Sequence, residues 1–210
     1  MQEGVKRILV TGGSGYVGNY ILRASASLFP DSIHYGMSRR GAPPNDKTYR
    51  NYNISFLKGD CLKPEEFPAE LEHCDAVIHS VGILLQGKGY ERSYKAVNTD
   101  SCVNVARALN EFAASRGERR KFVMISSEKA PPLLSEYLTS KLDAEKFLFD
   151  ECQFLDTTVL RPGFIVSKQD RWWSVPLSGI MDCGISVGAG LGGLVGAKSK
   201  VEDLLPARSV

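Results

Sequence analysis

Residues 7–18 read Arg7-Ile8-Leu9-Val10-Thr11-Gly12-Gly13-Ser14-Gly15-Tyr16-Val17-Gly18, an apolar run that passes straight into a glycine-rich turn. Gly12, Gly15 and Gly18 give a G-x-x-G-x-x-G spacing. Each glycine answers a physical demand: a tight turn after a strand, bare backbone that N–H groups can bring up to a phosphate, and close packing of the next helix on the strand. That helix opens near Tyr16 and Val17 and points the positive end of its dipole at the same spot. A strand before and a helix after convert a common glycine pattern into a dinucleotide signature, with the pyrophosphate over Gly12, Gly15, Tyr16, Val17 and Gly18.

Outward from this turn, short apolar runs alternate with longer helical patterns, which predicts a parallel sheet covered by helices. Candidate strands are Arg7 to Val10, Ser32 to Met37, Ile54 to Lys58, Ala76 to His79, Phe122 to Ile125 and Thr157 to Leu160. A helix is expected from about Arg92 to Ser115, where Tyr94, Val97, Cys102, Val105, Leu109 and Phe112 mark a buried stripe. Another is expected over Ser135 to Glu151 with Ser135 as N-cap. Beyond Arg161, Pro162, Gly163, Pro176 and repeated glycines break every regular period. The mostly apolar stretch Val175 to Ala197 approaches bilayer length, but its glycines and Asp182 favour a loop or helix capping the cleft, or a partner surface, over a transmembrane span. The expected fold is α/β, a doubly wound parallel sheet of Rossmann type with a shortened glycine-rich C-terminal cap. Residues 1–167 would form the NAD(P)-binding domain and 168–210 an incomplete cap or partner segment.

Composition narrows the function classes. With 43% hydrophobic and 24% charged residues the chain has the balance of a globular domain that folds in water. Its 26 basic and 24 acidic residues are interspersed, which leaves no field to attract nucleic acid. The basic run Arg116 to Lys121 reads as a solvated turn, with a phosphate or partner contact as the alternative. Five scattered cysteines without a C-x-x-C pair argue against both a disulfide framework and a zinc site, so no metal is expected. The N-terminus runs into a strand without the pattern of a secretory signal.

Cofactor choice is set where the second strand ends, and there Tyr35-Gly36-Met37-Ser38-Arg39-Arg40 carries no carboxylate. Ser38 and Arg39 could hold a 2′-phosphate, which favours NADP(H), whereas arginines that are merely solvated would leave NAD(H) open. Asp60, ending the third strand, could bond the adenine amino group or cap the next turn. Ser80, Val81 and Gly82 are small enough for backbone to approach the ribose. His79 reads as a satisfied core histidine, and Asn98 as a polar hub or a surface amide. Tyr137 and Lys141 stand at i and i+4, so they share a helix face, and an ammonium beside a phenol lowers a pKa that is about 10 in isolation. Ser127 at the end of the fifth strand, or Ser126 if the register shifts, could orient a reacting oxygen.

These motifs, in this order, resemble the short-chain dehydrogenase/reductase superfamily in its extended or atypical branch, over roughly Arg7 to Ser167. The resemblance implies that Tyr137 and Lys141 occupy the Y-x-x-x-K pair, that Ser127 completes the catalytic set and that Lys141 and Pro162 border the cofactor. Ala76 to Leu85, Ile125 to Lys141 and Leu160 to Val166 more narrowly resemble the group of the nucleotide-binding accessory subunit of mitochondrial complex I and its relatives linked to coenzyme Q biosynthesis. This implies NADP(H) binding, a mitochondrial setting and protein partners at the inner membrane; without the resemblance, the cytoplasm would be the default. Members of that group are often cofactor-bound without an established substrate, so an oxidoreductase acting on a small carbonyl or alcohol stands as the alternative. Only nine residues separate Ser127 from Tyr137, Pro131 and Pro132 among them, a shorter connection than sugar-nucleotide enzymes of the extended branch carry.

Overall fold

The strands predicted from β-branched runs form one sheet. A computed structural model describes residues 6–42, 49, 52–129, 134–163 and 165. Its strands are β1 (Arg7–Thr11), β2 (Ile33–Ser38), β3 (Ile54–Lys58), β4 (Ala76–His79), β5 (Arg120–Ile125) and β6 (Leu155–Leu160). They pair in the order β3-β2-β1-β4-β5-β6, and every pairing is parallel. The expected doubly wound sheet is therefore present, and all of it lies within the unit that ends at Gly163. The expected cap, Val175 to Ala197 included, lies outside the described residues, as does Cys183.

Strand alternation sorts side chains between two faces. His34 and Gly36 face α1 (Tyr16–Leu28): the His34 ring bonds Ser25 Oγ at 3.0 Å, and a Cβ on Gly36 would meet Leu22 at 2.8 Å. Leu9, Val77, Phe122 and Met124 face the other way and build the main core with Cys102, Val105 and Leu109 of α2 (Ser101–Arg116) and Ala144 and Leu148 of α3 (Ser135–Glu151). The glycine at 36 lets α1 settle close to the sheet, and the larger residues on the opposite face fill the space under two helices.

Two helix expectations need correction. The segment predicted as one helix from Arg92 is instead a 3₁₀ turn at Tyr90–Arg92, a π-helical turn at Lys95–Asp100 and then α2. The wide turn arises because Asn98 and Thr99 send side chains out of the helix, to Ile83 and to the Ser140 carbonyl. Ser135 is the first helical residue of α3, not its cap; Leu134 holds the cap position and no side chain bonds there.

The basic run Arg116 to Lys121 is a solvent-exposed turn, as expected, except that Arg120 is buried and that its three arginines also bond neighbouring backbone. Arg116 and Arg120 both donate to the Glu72 carbonyl, at 3.1 and 2.7 Å, and Arg119 reaches the carbonyls of Gln153 and Leu155. Gly117, at φ 63°, ends α2 in the left-handed conformation that frees the chain to start β5. The four described cysteines are free and buried, and desolvation pushes the thiols of Cys61, Cys74 and Cys102 up to about 12 and that of Cys152 to about 11. They are inert packing residues. Among the described residues no helix is long and apolar enough to cross a membrane, and no cluster of side chains could hold a metal ion.

His79 ends β4 with no exposure, bonding Thr11 Oγ1 through Nδ1 at 2.8 Å and Ser101 Oγ through Nε2 at 3.3 Å, with its ring stacked on Phe122. Desolvation, reinforced by Lys141, lowers its pKa from 6.5 to about 3. Because the folded value lies below the unfolded one, the unfolded chain takes up the proton first as pH falls. Stability that is complete above pH 6.5 is thus lost progressively toward pH 3. His79 alone accounts for a slope of at most about 1.4 kcal/mol per pH unit, and buried His34 acts in the same direction. Urea unfolding at pH 7, 6 and 5 should show this loss, and His79→Gln, which keeps hydrogen-bonding groups but does not titrate, should flatten it; an unchanged slope in the variant would refute the assignment.

Candidate functional site

The crevice lies at the carboxyl ends of β1, β2 and β4, where strand order reverses and a parallel sheet offers a ligand its deepest opening. Gly12, at φ 73°, turns the chain out of β1, and the N–H groups of Gly12 and Gly13 donate to the Met37 carbonyl at 2.9 and 3.1 Å. Gly18 faces the turn so closely that a Cβ would stand 2.2 Å from the Gly12 carbonyl oxygen and 2.6 Å from Ser80 Oγ. Gly15 differs: a Cβ there would meet only Gly12 O at 3.1 Å, so its bareness serves the open side of the turn. Gly15 is also the N-cap of α1, with no side-chain cap and no acidic residue in the first turn, which leaves the helix dipole facing the cleft.

A cleft of about 960 Å³ opens over this turn. Of the residues predicted to bind cofactor, Gly12, Gly15, Ser38, Arg39, Asp60, Ser80, Val81 and Gly82 line it. Tyr16 and Val17 form the first turn of α1, and Gly18 packs beneath. Arg39 and Arg40 line the mouth and pair with no carboxylate among the described residues. Ser38 Oγ accepts the Gly41 N–H at 3.2 Å. Of the two readings of Asp60, capping is the one the hydrogen bonds show, since Oδ1 accepts the Leu62 N–H at 3.0 Å. Ser80 Oγ donates to the Thr11 carbonyl at 2.7 Å and so ties β4 to the turn. The Pro162 carbonyl accepts the Glu128 N–H at 3.1 Å, away from the cleft lining.

The second group of residues is held behind this wall. Lys141 is 4% exposed, and its Nζ donates to the carbonyls of Val81 at 3.1 Å and Ile125 at 3.2 Å, two of the three bonds an ammonium can make. A Cβ on Gly82 would come within 2.8 Å of that nitrogen, so Gly82 is the thin partition between the ammonium and the cleft. Burial lowers the Lys141 pKa to about 8, against the opposing pull of Glu145. Asn98 proves to be the hub: fully buried, it accepts the Ile83 N–H at 2.8 Å and donates to the Ile83 carbonyl and Ser140 Oγ. Tyr137 packs edge-on against Tyr94 with ring centroids 6.0 Å apart, and Ser127 Oγ donates to the Lys129 carbonyl at 2.9 Å. Ser126 is committed elsewhere, to the buried Glu145, which also binds Arg161. Neither Tyr137 nor Ser127 lines the cleft.

Sequence reasoning missed Gly13 and Gly36, whose backbones cross so closely that a Cβ on Gly13 would sit 2.7 Å from Gly36 Cα. A lone glycine inside a predicted strand was the available signal. It also passed over Ser14 and Arg92 in the cleft, and gave Arg40 no part in binding.

Residues 8–152 match the NAD dependent epimerase/dehydratase family. The chain belongs to that family. It is 23% identical over 208 residues to MIOREX complex component 2 of Saccharomyces cerevisiae, covering 78% of this chain and 74% of the yeast protein. It is 29% identical over 168 residues to an uncharacterized chloroplastic protein of Arabidopsis thaliana, covering 78% of this chain and 52% of that one. The chain thus spans about three quarters of the yeast relative and about half of the plant one. A solved short chain dehydrogenase/reductase from Saccharomyces cerevisiae shares the fold, with a TM-score of 0.61 at 22% identity over 78% of this chain and 72% of that chain. The short-chain dehydrogenase/reductase resemblance therefore holds, and with the family comes a nicotinamide dinucleotide cofactor. The residues present fit that cofactor: the turn carries no side chain but the short one of Ser14, the helix is uncapped and no carboxylate faces the pyrophosphate position from the first turn of α1.

The two kinds of glycine should separate experimentally. Gly18→Ala drives a methyl into the Gly12 carbonyl and should destabilise the fold by about 1–3 kcal/mol as an overpacked contact. Gly15→Asp meets a single close contact, the Gly12 carbonyl oxygen at 3.1 Å, that a shift of a few tenths of an ångström relieves, so it should still fold, yet lose dinucleotide binding by placing a carboxylate over the helix N-terminus. Thermal unfolding and calorimetry on both variants check this; a Gly15→Asp protein that still binds cofactor at wild-type affinity would show that the pyrophosphate does not sit there.

Proposed function

We propose that this chain is an NADP(H)-binding, atypical short-chain dehydrogenase/reductase of mitochondria, working near coenzyme Q synthesis or the assembly of respiratory complexes. The observation that carries the cofactor choice is the end of β2, where Ser38 and two unpaired guanidiniums line the cleft mouth and no carboxylate is present to accept the ribose diol. The organellar reading draws support from relatives named as a component of the MIOREX complex and as chloroplastic. In this reading the dinucleotide is held for stability or regulation within a protein assembly. That Tyr137 packs on Tyr94 and that Ser127 donates to Lys129 O, both off the cleft lining, favours this reading.

A second reading, an NADP-dependent oxidoreductase of a small carbonyl or alcohol, is favoured by one feature. Lys141 is buried behind Gly82, on the same helix face as Tyr137, with a pKa near 8 that suits proton traffic at neutral pH. A bound nicotinamide would supply hydride in that case. Tyr137 would exchange the proton, Ser127 would orient the oxygen and Lys141 would hold the ribose.

Arg39→Ala should weaken NADPH about ten- to a hundredfold, the loss of a charged hydrogen bond, and leave NADH almost unchanged. Calorimetry returning equal losses for both cofactors would remove the NADP assignment. Complementation of a deletion strain, scored by quinone content and respiratory growth, decides between the readings. Tyr137→Phe should restore both if the cofactor is not turned over, whereas Gly15→Asp should restore neither. Failure of Tyr137→Phe with nucleotide still bound would select the oxidoreductase, whose turnover that change should lower by about two to four orders of magnitude.

A further inference from the structure

The cleft has a wall that the dinucleotide turn does not supply. After β4 the chain passes through Ile83, Leu85 and Gln86 to Glu91 and Arg92, all lining the cleft. In the sheet β4 lies on one side of β1 and β2 on the other, so this wall flanks the turn opposite Ser38 and Arg39.

The loop is fastened so as to present Arg92. The Gly87 N–H donates to the Arg92 carbonyl at 2.9 Å and the Arg92 N–H to the Gly89 carbonyl at 3.2 Å, closing a tight loop around Gly89 at φ 86°. The Arg92 stem lies over Gly87, where a Cβ would come within 2.9 Å of its Cδ. Gln86 anchors the base, accepting the Tyr94 N–H at 3.4 Å and donating to Glu136 of α3 at 3.3 Å. The backbone of Arg92 is thus fixed and its stem runs beside Gly87, while its exposed guanidinium pairs with no carboxylate among the described residues.

We propose that Arg92 binds the pyrophosphate of the dinucleotide from the wall opposite Arg39, closing over it the side that the α1 N-terminus leaves open. This rests on the reading that the cleft holds a nicotinamide dinucleotide. A helix N-terminus offers roughly half an elementary charge, far short of the two negative charges of a pyrophosphate, so a cation is wanted beside Gly12 to Gly15. Arg39 and Arg40 are on the β2 side, where the adenosine ribose and its 2′-phosphate belong. Arg92 supplies the positive charge on the β4 wall, and with β1 and its turn between, it is separated from the 2′-phosphate. Two arginines on two walls then read two different phosphates: one distinguishes NADPH from NADH, the other serves both.

Calorimetry with NADPH, NADH and 2′-AMP, which lacks a pyrophosphate, separates these roles on the full chain. Arg92→Ala should weaken NADPH and NADH by the same factor, about five- to fiftyfold, leave 2′-AMP unchanged, and be partly rescued by Arg92→Lys. Unchanged dinucleotide affinity, a loss confined to NADPH, or a loss that extends to 2′-AMP would overturn the assignment. If the wild-type chain binds neither dinucleotide, the cofactor reading itself fails, an outcome distinct from failure of Arg92 alone.

Discussion

The structure depends on a contact between backbones that no side chain could share. Gly18 of α1 lies against the Gly12 carbonyl and Ser80 Oγ, and Ser80 in turn donates to the Thr11 carbonyl. One crowded spot therefore joins the end of β1, the start of α1 and the end of β4. Its stringency is steric: a Cβ at 2.2 Å from an oxygen has no relaxed solution short of moving the helix. What the crowding gains is direction, since α1 leaves the turn with its uncapped end aimed into the crevice.

A second constraint is polar and sits on the other side of the turn. Asn98 and Lys141 are both buried, and both spend their hydrogen bonds on the backbone that follows β4: Asn98 on Ile83, Lys141 on Val81 and, across the sheet, on Ile125 of β5. Burying an ammonium is costly unless carbonyls receive it, and here two do. The same bonds fix the loop that walls the cleft, and Ser140 and Gln86 extend the connection to α3. Cofactor cleft and candidate proton-transfer residues are therefore one mechanical unit, with Gly82 as the partition between them.

Much of this was legible in the chain. Apolar β-branched runs located all six strands, two of them residue for residue at Ile54–Lys58 and Ala76–His79, because buried parallel strands leave little choice of composition. The dinucleotide turn was legible because its glycines are demanded by sterics. The wide turn at Lys95–Asp100 was not, since the apolar stripe through Tyr94, Cys102 and Val105 has the same spacing whether or not one residue is bulged out to bond another element. Ser135 has the composition of a cap, yet the helix begins one residue earlier than composition suggests. The role of Asn98 and the distant carbonyl partners of Arg116, Arg119 and Arg120 also depend on residues from 15 to 48 positions away, which local pattern does not encode.

The claim on which the rest stands is that this crevice takes a nicotinamide dinucleotide. Native mass spectrometry of the purified chain tests it without knowledge of a substrate. The account predicts a mass increment of one dinucleotide per chain, released on denaturation and identified as NADP(H) by its fragments. A chain that stays at its bare mass with NADPH and NADH each added in excess would contradict it.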